Sequence, residues 1–431
     1  MALLPPNHAD RLSLAEEVHA RPPLPLDTPS RATYVAVLVD AADRQRELAH
    51  MADLCRQAGV PGPTAGMTQF TATLGPLQFK WERHGEFSGY TFFAAGRSPQ
   101  PFSEPAVSLL PPDWLAAVPG RTVFAGHAKL IAGGPELPNA ATLAAHFDGN
   151  IVVGSQIGDG AGHAYTDFRI HADGFARFIV LDCGFTPRQA GRTLQRLFEI
   201  ETYHMMALLA LPLARRLSPR IGAIEAALVA LTEAIAAEGG DDEALQHQLT
   251  RLAAEIENNL AASQFRFGAC RAYAELVRTR IEELREQRLP GLQPIEEFMA
   301  RRFSPAIATI VSVEHRLQAL SERVAQAGSL LSSRVDIARQ RQNQALLASM
   351  DRRAKLQLRL QQTVEGLSVA AIVYYAAGLV GYLAKGGKAA GFKLEPDLIV
   401  AVAVPALAVV VLLALRKARR RAAEHRNDPE L

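Results

Sequence analysis

The sequence predicts an α+β N-terminal domain, a long helical stalk and a C-terminal pair of transmembrane helices. Three observations predict this fold class. Short apolar segments of alternating polarity, separated by turn residues, fill residues 32–185. Apolar residues recur with helical spacing from about residue 187 onward. Two uncharged apolar runs of near-spanning length lie close to the C-terminus.

The composition is that of a globular chain in a reducing compartment. Of 431 residues, 48% are hydrophobic and 21% are charged, which is typical of packed domains and not of disorder. The net charge of +2 is too small to attract nucleic acid, so we expect no nucleic-acid partner. The cysteines Cys55, Cys183 and Cys270 are widely spaced and form no CxxC, so we predict three small buried residues and no disulfide framework.

The first 31 residues predict a short helix followed by a proline-rich strap. Pro22, Pro23, Pro25 and Pro29 exclude helix in the second half of this segment. No long apolar stretch follows the N-terminus, so we expect no signal peptide and a cytoplasmic N-terminus.

Residues 32–185 predict the α+β domain. We expect helices at 43–57 and 140–147 and a turn at Ala172-Asp173-Gly174 that joins two strands. The expected strands are 32–39, 67–74, 77–83, 87–95, 121–131, 150–157, 165–171 and 175–182.

Residues 186–365 predict the helical stalk. Gly239 to Asp242 ends one helix and caps the next, which we expect to run to about Arg288 before Pro290-Gly291. A third helix starts near Pro305 and either continues to residue 384 or has a joint at 340–344. Its apolar residues form a heptad seam that packs within one chain or between subunits: Ile310, Val313, Leu317, Leu320, Val324, Ala327 and Leu331.

Two runs, 366–384 and 398–415, predict transmembrane helices joined by an external loop at 385–397. The alternative is a buried hairpin in a soluble core. Nine basic residues flank the pair, four before the first run and five at the start of the basic tail at 416–431, against three lysines in the loop. This balance favours an inner-membrane protein with both termini in the cytoplasm.

Small and hydroxyl-bearing residues mark the first run as a surface for helix packing or for a pore. Gly378 and Gly381 permit close approach of a second helix, and the hydroxyls of Tyr374, Tyr375 and Tyr382 can hydrogen-bond within an assembly. Neither run contains Asp, Glu, Lys, Arg or His, so no proton relay is predicted there.

Three polar segments of the N-terminal domain are weak candidates for sites. Gly158 to Gly162 is glycine-rich, but a strand and not a helix is expected to follow, which favours a hairpin over a phosphate loop. His163, Asp167 and His171 straddle a loop and are interpreted as a polar surface, not as a metal site. The cluster from Trp81 to Glu86 follows a strand and predicts no particular chemistry.

Three strings carry a resemblance to a bacterial family of uncharacterised membrane-anchored proteins with a domain of unknown function. They are Glu16 to Pro23, Glu201 to Pro212, and Glu365 to Val369 followed by Tyr374-Tyr375. The first string contains the polar residues Glu17, His19 and Arg21. The resemblance implies membrane anchoring and supplies no activity.

The order of parts is also similar to that of the CorA-type magnesium channel family. That family has a cytoplasmic α/β domain, a helical hairpin, a stalk helix that enters the first span, a short loop, a second span and a basic tail. Its Gly-Met-Asn filter corresponds to Gly381-Tyr382-Leu383 in this chain, which keeps the glycine alone. The resemblance therefore implies an oligomeric membrane protein with an inorganic cation as a candidate partner, but without the magnesium filter.

The leading hypothesis is a non-enzymatic, homo-oligomeric membrane protein whose partner is the lipid bilayer, with no cofactor, metal-binding or catalytic residue predicted. One alternative is a membrane-tethered scaffold or ligand sensor. The other is a membrane-bound enzyme that uses either His19 and Arg21 or the region from His163 to His171. Histidine beside arginine suits anionic substrates.

Overall fold

A computed structural model describes residues 5–12, 14–15, 22–98, 102–134, 138–237, 239–390 and 395–424. The chain divides into two compact units, residues 1–329 and 330–431, which we call the head and the C-terminal unit. The boundary falls inside one helix, away from the limits at 185 and 365 that the sequence pattern suggests.

Within the described residues, nine strands of the head form one mixed sheet in the order β2-β3-β4-β1-β5-β8-β7-β6-β9. Strands β5 and β8 run parallel, and all other neighbouring strands of this sheet pair antiparallel. The strands are β1 Ser30–Leu38, β2 Gln69–Leu74, β3 Leu77–Arg83, β4 Phe87–Ala95, β5 Arg121–Ala132, β6 Val153–Ile157, β7 Gly162–Thr166, β8 Ala176–Asp182 and β9 Gln287–Arg288.

Most predicted strands are confirmed, and two expectations are wrong in extent. The strand expected at 165–171 is instead β7, which ends at Thr166, and it pairs with β8 across a loop longer than the predicted turn. The helix expected to reach Arg288 ends at Leu284, because Arg285 adopts a left-handed conformation. Gln287 and Arg288 then pair with β6 as an edge strand.

The two faces of the sheet are covered by different helices. Helix α1 (Arg44–Gln57) packs on one face, where Met51 and Leu54 join Phe79 and Trp81 in the core. A short helix, α2 (Ala140–His146), packs near the other end of the sheet. Helix α3 (Pro187–Leu208) covers the opposite face, and its Phe198 stacks on Tyr34 of β1 at 5.2 Å between ring centroids.

Five further helices follow among the described residues: α4 Leu211–Ala236, α5 Asp242–Leu284, α6 Ile295–Arg302, α7 Ser304–Ala389 and α8 Pro396–Glu424. Asp241 caps α5 as predicted, since its carboxylate accepts hydrogen bonds from the backbone N–H groups of Glu243 and Ala244. Helix α7 continues through residues 340–344 without a joint.

The heptad seam of α7 is buried by the chain itself. All seven seam residues from Ile310 to Leu331 are at most 5% exposed. Arg316 donates to Glu225 of α4 and Ser321 donates to Glu257 of α5, so the seam packs against the α4–α5 hairpin. Of the two arrangements left open by the sequence, packing within one chain is the one observed.

In the C-terminal unit, α7 and α8 each contain a segment long and apolar enough to cross a membrane. Little of these segments is buried inside the chain: 17% of the apolar window of the first helix and none of that of the second. Helix α7 passes the predicted end at 384 and stops at Ala389.

Candidate functional site

The polar cluster after Leu77 is divided by the pleat of β3. Successive side chains of a strand point to opposite faces, so Trp81 faces α1 while Lys80 and Glu82 face α3. The sequence pattern showed Trp81 to Glu86 as one weak cluster and did not include Lys80. The sheet instead separates them into two buried polar centres, one on each face.

The centre on the α1 face is the carboxylate of Glu47, which is 1% exposed. Trp81 Nε1 donates to Glu47 Oε1 at 2.9 Å, and the Tyr90 hydroxyl donates to the same oxygen at 2.6 Å. A guanidinium nitrogen of Arg83 lies 3.6 Å from Glu47 Oε2. Burial, together with the Glu47 charge, raises the pKa of Tyr90, so its hydroxyl remains a donor at neutral pH.

The centre on the α3 face is a small cavity that we call the Lys80 pocket, formed by Tyr34, Lys80, Glu82, Gln195 and Glu199. Lys80 Nζ lies 2.9 Å from Glu82 Oε1 and donates to Gln195 Oε1 at 3.3 Å. The side chains of Lys80 and Glu82 are 4% and 7% exposed. The charges are thus buried as a pair, as their desolvation cost requires.

Hydrogen bonds connect the Lys80 pocket to the helices behind it. Gln195 Nε2 donates to Glu199 Oε1 at 2.7 Å, and Arg280 of α5 donates to the other oxygen of Glu199. Burial raises the pKa of Tyr34, whose side chain also bonds Thr202. The hydrogen-bond network from Lys80 to Arg280 therefore connects β3, α3 and α5, so a change in the pocket is expected to affect all three elements.

The proline-rich strap closes the Lys80 pocket. Leu24 lines it, and Leu26 N–H donates to the Pro187 carbonyl at the start of α3. The approach is so close that a Cβ added at Gly191 would lie 1.8 Å from the Leu24 carbonyl oxygen. About 20 Å³ remains inside, which is room for one water molecule. A larger ligand therefore requires the strap to move.

A second buried cluster surrounds His171, which was interpreted from the sequence as part of a polar surface. That interpretation is wrong, because Asp167 and His171 are 4% and 8% exposed. His171 Nδ1 lies 2.8 Å from Asp148 Oδ2, and His171 Nε2 lies 3.0 Å from Asp167 Oδ2, off the direction of a good hydrogen bond. Asn150 Nδ2 donates to Asp167 at 2.9 Å.

Carboxylates lie on both sides of the His171 ring. Hydrogen bonds from His171 and Arg177 lower the pKa of Asp148. Asp148, far away in sequence, is the member of this cluster that spacing alone could not identify.

His163 lies apart from that cluster and contacts Cys183. Cys183 was predicted to be buried and is exposed, whereas Cys55 and Cys270 are buried as predicted. Cys183 Sγ lies 3.6 Å from His163 Nδ1. Partial desolvation raises the pKa of Cys183 although the residue is exposed, and Asp182 adds to the shift. Partial burial lowers the pKa of His163. These directions favour a neutral thiol and a neutral imidazole, not an activated nucleophile.

The glycine-rich segment from Gly158 to Gly162 is a hairpin connection, as expected. It joins β6 to β7, and Asp159 in it pairs with Arg285 beside the end of α5. Asp159 has a positive φ of 57°, which short polar side chains tolerate in turns.

An open groove of about 510 Å³ lies between α5, α6 and the start of α7. Its floor is apolar, with Val277, Ile281, Met299, Phe303 and Ile307, and its rim carries arginine and glutamate side chains. The rim charges are largely paired with one another, as in the contacts of Arg278 with Glu275 and Glu282.

Three residues of the first apolar run were candidates for helix packing or a pore, and they occupy different faces of α7: Gly378, Gly381 and Tyr382. A Cβ added at Gly381 would lie 3.2 Å from Val400 Cγ2 of α8, so Gly381 lies at the helix–helix contact, whereas a Cβ at Gly378 would meet no atom within 4 Å. Tyr382 is 78% exposed.

The family-motif residues Glu17, His19 and Arg21 lie outside the described residues. Across the described part of the chain, no group of three or more His, Cys, Asp or Glu side chains is arranged to hold a metal.

A family model described as "Protein of unknown function (DUF3422)" matches residues 6–422 of the chain. No curated protein and no solved structure matches the chain.

Proposed function

The chain belongs to the DUF3422 family, and from that premise we propose that it is a membrane-anchored, self-associating protein of the bacterial inner membrane. In this proposal the head and both termini lie in the cytoplasm, and α7 and α8 cross the bilayer. The arrangement resembles that of CorA-type magnesium channels, and the proposed activity is passage of an inorganic cation between the first spans of several copies.

The observation that carries the proposal is the changing environment of α7 along its length. The helix starts at Ser304 with a buried apolar seam and ends at Ala389 within an apolar run whose side chains are largely exposed. Leu367, Tyr375, Leu379 and Leu383 are each at least 66% exposed. Apolar side chains in such number are stable in a bilayer and not in water.

Self-association follows from the number of spans. Two helices of one chain enclose no water-filled path, so a pore requires several copies. The buried seam is already used within the head, which leaves the exposed faces of α7 and α8 as the surfaces available to neighbouring copies. The Gly-Met-Asn filter is reduced to Gly381, so we expect cation passage without preference for magnesium.

The test is the purified full-length protein in lipid. Native mass spectrometry of the protein in nanodiscs measures the number of copies, and proteoliposomes loaded with a fluorescent indicator measure entry of Mg²⁺, Co²⁺ and K⁺. We expect an oligomer and cation entry above that of protein-free liposomes. A monomer in nanodiscs would contradict the proposal as a whole.

A ligand-sensing head is the second candidate, and the Lys80 pocket favours it. A buried ion pair beneath a strap of irregular backbone is the kind of arrangement that responds to a ligand by opening. An intact oligomer that passes none of the three cations would favour this alternative. Hydrogen exchange of the strap, residues 22–28, with and without inorganic phosphate would then show whether a small anion opens the pocket.

A further inference from the structure

Hydroxyl groups recur at every seventh residue of the first span. Ser368, Tyr375 and Tyr382 are spaced by two helical turns and lie on one face of α7, which we call the hydroxyl stripe. Gln361 continues the same spacing one step before the apolar run. Tyr375 and Tyr382 are 75% and 78% exposed, so the chain itself does not cover the aromatic part of this stripe.

The position of Tyr375 makes contact with lipid tails unfavourable. It lies at the middle of the apolar run 366–384, about 13 Å of helix from either end. A tyrosine near the end of a span reaches the headgroups with its hydroxyl, but one at the middle does not. A hydroxyl in hydrocarbon without a hydrogen-bond partner carries a desolvation cost, so it is expected to face another polar group.

Helix α8 does not provide that partner, because it packs on the other face of α7. Ala377 and Ala384 are 8% and 6% exposed, and Gly381 lies against Val400 of α8. Each residue turns the helix by about 100°, so Tyr375 projects roughly opposite to Ala377 and Ala384. The small residues thus serve the contact within one chain, and the hydroxyl stripe points away from it.

We propose that the hydroxyl stripe is the surface through which the first spans of neighbouring copies meet. A second copy is the occupant because the hydroxyls of Tyr375 and Tyr382 can each donate and accept, which makes this part of the stripe complementary to itself. Ser368 already donates to the Val364 carbonyl within α7, so it adds an acceptor to the stripe. A repeat of seven also suits two helices that cross at the shallow angle typical of membrane bundles. This inference rests on the self-association proposed above and specifies its face.

Tyr374 provides a matched control for the stripe. It has the same side chain at the same depth and is 77% exposed, so depth alone does not distinguish it from Tyr375. What differs is its register, which Tyr374 shares with Leu360, Leu367 and Gly381 on the side of α7 that α8 occupies. Leu383 serves the same purpose for Tyr382, since it is 69% exposed and is displaced by about 100° around the helix.

The experiment is disulfide cross-linking of full-length protein in nanodiscs. Single variants Tyr375→Cys, Tyr382→Cys, Tyr374→Cys and Leu383→Cys are made in a chain with Cys183→Ser, because Cys183 is exposed whereas Cys55 and Cys270 are buried. We expect covalent dimers from Tyr375→Cys and Tyr382→Cys at several times the yield of the two controls. Copy number is measured on the same samples by native mass spectrometry.

Removal of the hydroxyls gives a second measurement that adds no thiol. We expect Tyr375→Phe and Tyr382→Phe together to weaken association by about three- to tenfold, as for interhelical hydrogen bonds in membranes, and Tyr374→Phe to leave it unchanged.

Three outcomes are distinguishable. Monomers in every sample contradict the self-association itself. Oligomers that cross-link through Tyr374→Cys or Leu383→Cys, or at none of the four positions, retain the proposed function and overturn the assignment of the stripe. Oligomers that cross-link at Tyr375→Cys and Tyr382→Cys support both.

Discussion

Two stretches of α7 carry similar apolar residues in opposite environments. From Ile310 to Leu331 the apolar side chains form a seam that is at most 5% exposed. From Leu346 to Leu360 the leucines and Met350 are at least 58% exposed, although they lie on the same uninterrupted helix. The first stretch packs against α4 and α5. Among the described residues, no segment covers the second stretch to a similar degree.

The comparison teaches that apolar content and helical spacing do not identify the partner of a helix. The head uses the seam to hold its own helices together, so the seam is not available to other copies. The exposed stretch and the spans that follow carry the surfaces on which association in a membrane depends.

The largest expected effect is on the seam. Leu317→Ala removes a side chain that is 0% exposed, and such a cavity lowers the free energy of unfolding by about 3 kcal/mol. Fluorescence reports the head alone, because the two tryptophans of the chain, Trp81 and Trp114, are both buried in its core. The measurement is the denaturant midpoint in mild detergent, and Leu330→Ala, at a position 56% exposed, is the control. Equal midpoints for the two variants would refute burial of the seam.

The free energy of unfolding of the head is expected to depend on pH, whereas association of the spans is not. Burial lowers the pKa of His127 to about 4, from an ordinary value of 6.5. Below pH 6.5 the unfolded chain therefore takes up this proton before the folded chain does, and the free energy of unfolding falls as the pH falls toward 4. Between pH 7.5 and pH 5 the loss from this residue is about 2 kcal/mol.

The check on this prediction is the difference between wild type and His127→Gln in denaturant unfolding at the two pH values. Glutamine does not titrate, so the variant should lose less stability on acidification. An identical loss in both proteins would show that His127 stays accessible to protons. Association of the spans should not follow the same curve, because the apolar runs contain no histidine or carboxylate.

A smaller effect on stability tests whether the strap packs against the rest of the head. Gly191→Ala places a methyl group against the Leu24 carbonyl oxygen, so we expect a loss of about 1–2 kcal/mol and faster proteolysis within residues 22–28. Gly222→Ala in α4 meets no atom within 4 Å and should gain about 0.5 kcal/mol, as alanine does in helices. A stabilised Gly191→Ala variant would mean that the strap does not rest on α3.

The smallest effect is expected at the exposed stretch. Leu346→Ala removes a side chain that is 61% exposed, so the unfolding of the head should change by less than about 0.5 kcal/mol. The measurement is the same tryptophan transition. A loss as large as that of Leu317→Ala would show that this stretch also packs against the head, and would remove the contrast.

Much of the head could be predicted from local sequence, and its polar centres could not. Strands β2 to β5 and the cap at Asp241 follow from alternation and capping within a few residues. The Lys80 pocket needs Lys80 of β3 and Gln195 of α3, which are 115 positions apart. The carboxylate of Asp148 reaches His171 across 23 positions, so spacing suggested a surface where the fold makes a buried cluster.

The sequence by itself determined the positions of the apolar runs and the seven-residue spacing of the hydroxyls. It also determined that no charged residue lies between Gly366 and Ala384. These are local properties, since charge, polarity and helical spacing are determined along the chain. The tertiary structure alone decided that the seam closes within one chain and that Gly381 faces α8. Which surfaces meet depends on packing between distant segments, and helical periodicity states which face is apolar without stating what covers it.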